Sequence, residues 1–321
     1  MTLFDRALCV PAEEIQILLH GHVPVVWSDF RLNRRRICGS DFLMRWSRGI
    51  WSEKRLISAV DETGVYFALP YGPSSTAPDD DVQSFELYFE RLENAGLAAL
   101  KRPALLLFRT LDRATIMNAV ERIGGEGELP FMPETHPDMR LLLSRAILAV
   151  ECENSLWIAR NMPDYTAKLT PMKRLGGKPG LKKNAVLPTV ILKEEDRLRL
   201  WDWQNKNRVP IHIWHVFFDA AFGLSLAEAQ RLVDSGLIGA TEQIFQAPSG
   251  ATTKKVIYKV FHQYAYPLAS SMEAPELRAN FIEDKNGHIL PYVKFVGGSL
   301  SLGREASKIL GEAAIARQAR K

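Results

Sequence analysis

The sequence feature that most constrains the fold is an apolar run from Ile147 to Trp157, ILAVECENSLW, that carries two glutamates. Such a run predicts a buried β-strand. Because side chains alternate between the two faces of a strand, Glu151 and Glu153 are expected to point the same way and Cys152 the other. The strand therefore brings two carboxylates to one place.

Two carboxylates on one face of a half-buried strand predict a cation between them. Two carboxylates within roughly 6 to 7 Å of each other raise each other's pKa. In a half-buried place such a pair is unfavourable unless a proton or a cation compensates the negative charge. A divalent metal meets this need, and Mg²⁺ prefers carboxylate oxygens and keeps several waters. The alternative that stays open is that one glutamate faces solvent at the strand end.

Composition excludes several classes of protein. The chain has 321 residues, of which 46% are hydrophobic and 24% charged, values typical of a globular protein and not of a disordered one. Cys9, Cys38 and Cys152 form no CxxC pair, so neither a disulfide framework nor a cysteine zinc site is expected, and a reducing cytoplasm fits. We find no signal-peptide pattern and no run of 18 apolar residues, so neither secretion nor a membrane location is expected.

Apolar periodicity predicts alternating helices and strands. In order, they are a helix over 40–60, a strand over 64–72, a helix over 82–100, a strand over 104–108, helices over 113–123 and 139–146, the strand over 147–157, a strand over 187–196, a helix over 197–207, a strand running into a turn over 209–226 and a helix over 225–238. Strands and loops follow, and a helix closes the chain. The expected fold is α/β or α+β, with a central mixed β-sheet flanked by helices.

Four fragments of the chain resemble the PD-(D/E)XK nuclease superfamily, and more narrowly a type II restriction endonuclease. They are GIWSE, ELYFERLENAGLAALKRPALLLF, AVECENSLWIA and PTVILKEED with the following WQNKNRVPIHIWHVFFD. The likeness spans residues 40–225 and implies a restriction-endonuclease-like nuclease core at 41–235. It also implies an N-terminal DNA-contacting extension at 1–40 and C-terminal elements at 236–321 packed on the core, unless all three form a single domain.

The superfamily motif is carried over residue by residue. It places the first-helix glutamate at Glu53 and the (D/E)XK element on Glu151, Cys152 and Glu153. The resemblance implies that Glu151 and Glu153 bind Mg²⁺ and that Glu53 binds a second metal ion or orients water. Glu153 replaces the usual lysine, a variant that some restriction enzymes use. Lys193 is the candidate to replace that lysine in stabilising the phosphate. The alternative is a solvent-facing Lys193 paired with Glu194 or Asp196.

One position departs more seriously from the motif. Its Pro-Asp element aligns with Pro103 and Ala104, so a methyl group stands where a metal-binding carboxylate is expected. Three explanations stay open: an introduced Asp→Ala change that traps an uncut complex, a true Pro-Asp at Pro137 and Asp138, or a naturally inactive relative.

The resemblance implies a sequence-specific, Mg²⁺-dependent endonuclease that cuts double-stranded DNA. A homodimer is expected, because cutting both strands of a palindrome needs two sites related by a twofold axis. A matching DNA methyltransferase is the expected partner in a restriction-modification system. The alternatives are a catalytically inactive nuclease scaffold that binds DNA and, with less support, a metal-dependent hydrolase of small substrates.

Two basic stretches are candidates for DNA contact, with solvated surface as the alternative for each. The candidates are Arg34, Arg35 and Arg36 in the first stretch and Arg160, Lys173, Arg174, Lys182 and Lys183 in the second. Arg160 and Arg174 could read guanine. By contrast, we expect His212 and His215 to be packed histidines and the tryptophans at 201, 203 and 214 to be core residues.

Overall fold

A computed structural model describes residues 9–10, 30–31, 40–78, 82–97, 99–182, 184–246, 252–283 and 289–319. The helices are α1 (Ser40–Asp61), α2 (Val82–Asn94), α3 (Arg113–Ile123), α4 (Pro137–Arg145), α5 (Glu194–Asn207), α6 (Leu226–Asp234) and α7 (Arg304–Gln318). The strands are β1 (Cys9–Val10), β2 (Phe30–Arg31), β3 (Tyr66–Pro70), β4 (Leu105–Arg109), β5 (Leu148–Asn154), β6 (Thr170–Pro171), β7 (Pro179–Gly180), β8 (Thr189–Lys193), β9 (Ile211–Val216), β10 (Ala220–Ser225), β11 (Ala240–Gln246), β12 (Thr252–Phe261), β13 (Tyr266–Glu273), β14 (Glu276–Glu283), β15 (Ile289–Val296) and β16 (Ser299–Leu302).

The centre of the fold is a mixed β-sheet. Within the described ranges it has seven strands, in the spatial order β16, β13, β10, β9, β5, β4 and β3. Strands β5 and β9 run parallel at its middle, and the other neighbours are antiparallel. The expected central mixed sheet flanked by helices is confirmed.

Apolar side chains from helices cover both faces of this sheet. On one face, α1 contributes Leu56 and α7 contributes Leu310, and both pack with Val150 of β5. On the other face, helices α3, α4, α5 and α6 pack against the strands. The result is three layers with β5 in the middle, which explains why Leu148, Ala149 and Val150 are fully buried.

The parallel pairing of β5 with β9 determines where the site can form. Parallel neighbours need a long crossover connection, and here the crossover contains β8 and α5. Helix α5 begins at Glu194, immediately after Lys193, and its first turn holds three acidic residues, which the positive end of the helix dipole favours. The crossover returns this turn to the end of β5.

Three element boundaries differ from the sequence-based expectation. Helix α2 ends at Asn94 instead of continuing to residue 100. The charged end of the strand expected at 187–196 belongs to α5, and the apolar run at 209–226 forms two antiparallel strands, β9 and β10. Periodicity alone missed this hairpin because both of its strands are mostly buried and therefore read as one apolar run.

The C-terminal part of the chain contributes directly to the central sheet. Strand β13 pairs with β10, and β16 pairs with β13. The hairpin of β14 and β15 contacts α1. Within the parts of the chain that the structure describes, none of the helices combines the length and apolar character needed to cross a membrane.

Candidate metal and phosphate site

Glu151 and Glu153 lie at the end of β5, as the strand alternation predicted. Cys152 between them packs against the apolar cluster on the opposite face of the sheet. Glu151 is only 8% exposed and Glu153 is half-buried. The two carboxylates therefore share one site in which solvent is largely excluded.

Asp196 brings a third carboxylate to the same place. Among the described residues, single carboxylate oxygens of Glu151, Glu153 and Asp196 all lie within 4.8 Å of one another, a grouping that could hold a metal ion. Asp196 belongs to the first turn of α5, so the crossover connection supplies it. Glu53, which the motif named as a metal ligand, is not a member of this group.

Two lysines interleave with the three carboxylates. Lys101 Nζ lies 2.5 Å from Glu151 Oε1 and 3.5 Å from Asp196 Oδ1. Lys193 Nζ lies 2.9 Å from Glu153 Oε1 and 3.8 Å from Asp196 Oδ2. Asp196 therefore bridges the two ammonium groups. Lys193 pairs with Asp196, as the alternative interpretation expected, and also with Glu153 of the carboxylate pair.

Burial and mutual charge control ionisation in this cluster. Burial raises the pKa of Glu151, against the opposing effect of Lys101. Burial alone would lower the pKa of Lys101 and of Lys193, but the neighbouring carboxylates outweigh it and raise both values. Both lysines therefore stay charged at neutral pH and hold the carboxylates together.

Glu53 approaches the site from α1. Burial raises its pKa to about 7, the Ser75 hydroxyl opposes the increase, and the charge of Glu151 adds to it. A carboxyl group whose pKa lies near neutrality can accept or release a proton under physiological conditions.

Ala104 lies in the wall of the site. Ala104 immediately precedes β4, whose first residue, Leu105, pairs with Val150 of β5, and both Ala104 and Glu151 line the cavity. The Ala104 carbonyl accepts hydrogen bonds from the amides of Tyr71 and Gly72, which fixes its backbone. The motif position is thus at the carboxylate cluster, with a methyl group instead of an acid.

Asp138, the alternative motif aspartate, is placed elsewhere. It lies in the first turn of α4, where its carboxylate accepts a hydrogen bond from Arg122 at 2.5 Å. It does not line the cavity that contains Glu151 and Glu153. The geometry therefore does not bring Asp138 to the carboxylate pair.

The cluster opens into a cavity of about 1050 Å³. Besides Glu53, Lys101, Ala104, Glu151, Cys152, Glu153 and Lys193, its lining comprises Gly72, Pro73, Ser74, Ser75, Phe85, Phe89, Glu90, Leu92, Glu93, Leu97, Leu100 and Arg102. This volume is slightly above the roughly 300–1,000 Å³ typical of small-molecule sites.

The candidate DNA-contacting residues lie apart from this cavity or outside the described residues. Arg34, Arg35, Arg36 and Lys183 lie outside the described residues. Lys173 and Arg174 form an exposed single turn, Lys182 pairs with Asp164 at 2.8 Å, and Arg160 approaches Asp219 at 3.6 Å. None of these four basic residues lines the cavity, so contact between them and DNA stays a prediction.

The histidines and tryptophans of this region are packed, as expected. His212 Nδ1 is 2.9 Å from the Tyr266 hydroxyl, and Trp214 Nε1 donates to the same oxygen. Burial lowers the pKa of His212 to about 4 and that of His215 to about 3, where the positive charges of Arg48 and Lys193 add to the effect. Both histidines are therefore neutral at physiological pH.

Lys101 and Asp196 are the site residues that sequence reasoning missed. Lys101 belongs to the short basic step that precedes β4, and its only sequence signal was its position four residues before that strand. Asp196 belongs to the acidic turn KEED, which follows a buried strand. An acidic turn between a strand and a helix is a signal that could have identified it.

Chemically, the arrangement can bind a cation through carboxylate oxygens and an anion through two ammonium groups in the same space. Comparison with family models, with curated proteins and with solved structures finds no match for this chain. Its function must therefore be inferred from the site.

Proposed function

We propose that the protein is a Mg²⁺-dependent nuclease that hydrolyses phosphodiester bonds of double-stranded DNA. One observation carries the proposal: carboxylate oxygens of Glu151, Glu153 and Asp196 lie within 4.8 Å of one another, interleaved with Lys101 and Lys193, and all of these residues except Asp196 line one cavity. Phosphodiester hydrolysis needs a nucleophilic water and neutralisation of negative charge on the phosphate and leaving oxygen. This set of side chains suits both needs.

The donor set fits Mg²⁺. The ion prefers oxygen ligands and usually binds through one or two carboxylates plus waters and substrate phosphates. Glu151, Glu153 and Asp196 offer such oxygens and no competing sulfur or imidazole ligand. Burial already raises the pKa of Glu151, so a divalent cation would replace a proton or a lysine as the compensating charge.

Lys101, Lys193 and Glu53 would each have a separate role in hydrolysis of the phosphodiester bond. Bound Mg²⁺ supplies Lewis acidity and lowers the pKa of a coordinated water. Lys101 and Lys193 would exchange their carboxylate partners for the phosphate oxygens and stabilise the charge that develops there. Glu53, with its pKa near 7, would orient the attacking water and hold its proton.

Sequence specificity, the homodimer and the partner methyltransferase come from the resemblance to type II restriction endonucleases. The mixed sheet flanked by helices is compatible with that resemblance, but one fold hosts many functions. Discrete bands from a plasmid digest would support sequence-specific cutting, whereas a smear would favour a nuclease without sequence preference.

A second function, a DNA-binding protein on an inactive nuclease scaffold, is favoured by Ala104. Ala104 lines the same cavity as Glu151, and its methyl group supplies no ligand. In this interpretation the two lysines hold the carboxylates permanently, at 2.5 Å and 2.9 Å, and no metal displaces them. The protein would then bind DNA without cutting it.

A supercoiled plasmid incubated with Mg²⁺ tests the proposed function. The intact chain should nick or linearise the plasmid, EDTA should stop the reaction, and Glu153→Gln should abolish cutting while DNA affinity stays within about threefold. Asp202→Asn is the matched control, because Asp202 is exposed on α5, away from the carboxylate cluster. Equal loss of binding and cutting in Glu153→Gln would assign Glu153 a structural role instead.

A further inference from the structure

The cavity has two chemically different walls. One wall carries the carboxylates and the two lysines, and α2 contributes Phe85 and Phe89 to the other. Hydrolysis of a phosphodiester bond gives a role to the wall with the carboxylates and lysines, but it gives none to the wall with Phe85 and Phe89. Aromatic side chains beside a phosphate-binding site provide a surface on which a nucleobase can stack.

Helix α2 holds the two rings side by side. Phe85 and Phe89 are four residues apart and therefore lie on one face of the helix. Their ring centroids are 4.8 Å apart with an interplanar angle of 47°, and Trp46 of α1 meets Phe85 edge-on at 5.9 Å. Both phenylalanines are only half-buried although they touch other rings, so part of each ring faces the cavity.

Charge determines which part of a nucleotide would face which wall. Glu90 and Glu93, also on α2, line the cavity and are exposed, so the ring wall repels phosphate. An uncharged base is not repelled, and carboxylates can accept hydrogen bonds from the amino groups of bases. With a divalent cation bound to Glu151, Glu153 and Asp196, the opposite wall, which also carries Lys101 and Lys193, has a net positive charge and attracts phosphate.

We propose, on the basis of the nuclease function inferred above, that the strand to be cut enters with one base unstacked from its neighbours and packed against Phe85 and Phe89. The volume of about 1050 Å³ is close to that of a small-molecule site, so the cavity can hold one unstacked nucleotide of a longer strand. Within double-stranded DNA the favoured cutting positions are therefore locally opened ones, and an isolated single strand should bind more tightly than a paired duplex, because a fully paired duplex must first lose stacking and pairing.

Binding measurements separate this inference from hydrolysis. We would measure DNA affinity by fluorescence anisotropy in Ca²⁺ and check on a gel that the strands stay intact. The three DNA forms are a 12-nucleotide single strand, the same sequence as a duplex, and a duplex with a mismatched bubble. The single strand and the bubble should bind at least about tenfold more tightly than the paired duplex. Phe89→Ala should weaken single-strand binding about fivefold to a hundredfold, as expected for the loss of one base–aromatic stack.

Leu87→Ala is the matched control, because Leu87 lies on α2 and its side chain is 55% exposed. It should leave the affinities unchanged. Phe89→Leu keeps the apolar volume but removes the aromatic face, so it should weaken binding without lowering the melting temperature of the protein. Equal affinity for all three DNA forms, or equal behaviour of Phe89→Leu and Leu87→Ala, would overturn the proposal.

Cleavage of the same three DNA forms in Mg²⁺ is a second, independent measurement. Tight single-strand binding that depends on Phe89, without cleavage by any form of the chain, would reject the nuclease function and retain the base-binding wall. Cleavage of paired duplex with no effect of Phe89→Leu would retain the nuclease and reject the wall.

Discussion

The Lys101 ammonium lies 2.5 Å from Glu151 Oε1, and both side chains are largely buried. Lys101→Met should leave Glu151 without its nearest positive charge and lower the free energy of unfolding by about 2 kcal/mol in EDTA. Lys255→Met is the control, because Lys255 and Glu195 form a similar pair, at 2.6 Å, that is more exposed and worth less than about 1 kcal/mol. Urea unfolding measures both. Equal effects of the two substitutions would show that burial does not strengthen the Lys101 pair.

Asp196 should matter for metal binding as much as the motif glutamates do. Asp196→Asn should reduce Mg²⁺ affinity by at least about tenfold, because it removes one of three converging carboxylates. Mg²⁺ should raise the melting temperature of the original chain and of Asp202→Asn, but not that of Asp196→Asn at the same concentration. Identical Mg²⁺ titrations of the two variants would exclude Asp196 from the site.

Ala104→Asp should raise the rate of metal-dependent DNA cleavage above that of the original chain. A carboxylate there would line the same cavity as Glu151 and complete the expected ligand set. The measurement is plasmid nicking at several Mg²⁺ concentrations, with Ala104→Asn as the uncharged control of similar size. If Ala104→Asp stays inert while the original chain cuts, Asp196 already supplies the third carboxylate and the motif position is not used.

Protonation of Glu53 should make stability depend on pH in a defined window. Its folded-state pKa is about 7, whereas an unfolded glutamate titrates near about 4.3. Between these values the folded protein keeps a proton that the unfolded chain has lost, so stability falls as pH rises and the full penalty applies above about pH 7. In EDTA, Glu53→Gln should match the original chain at pH 4 and exceed it by up to about 3 kcal/mol at pH 8. If the free energy of unfolding of the two proteins changes with pH in parallel, Glu53 is solvated in the folded protein.

The basic segment should contribute to DNA affinity and not to chemistry. Neutralising Lys173, Arg174, Lys182 and Lys183 together should weaken DNA binding and reduce the slope of log affinity against log salt by about 0.9 per lost phosphate contact. Lys308→Gln on α7 is the control, because the Lys308 side chain is 64% exposed. It should change the slope by no more than the loss of one phosphate contact would. An unchanged slope in the fourfold variant would shift the predicted interface to Arg34, Arg35 and Arg36.

The sequence by itself determined the elements whose pattern is local. The alternation in β5 predicted that Glu151 and Glu153 share a face, and helix α3 has the bounds, Arg113 to Ile123, that periodicity predicted. Strand and helix periods depend only on neighbouring residues, so they can be read without knowing what packs against them.

Tertiary structure alone decided which distant residues join the carboxylate pair. Lys101 lies 50 residues before Glu151, and Lys193 lies 40 residues after Glu153. Their meeting depends on the crossover between β5 and β9 and on the β4–β5 register, which no local pattern encodes. The fold likewise decided between the two motif positions, because Ala104 lines the cavity whereas Asp138 pairs with Arg122. The alternation of side chains along a strand is a local property, so the sequence revealed the pair Glu151 and Glu153. Strand register and the crossover connection are fixed by burial across the whole sheet. Only the fold therefore revealed Lys101, Lys193 and Asp196 as partners of that pair.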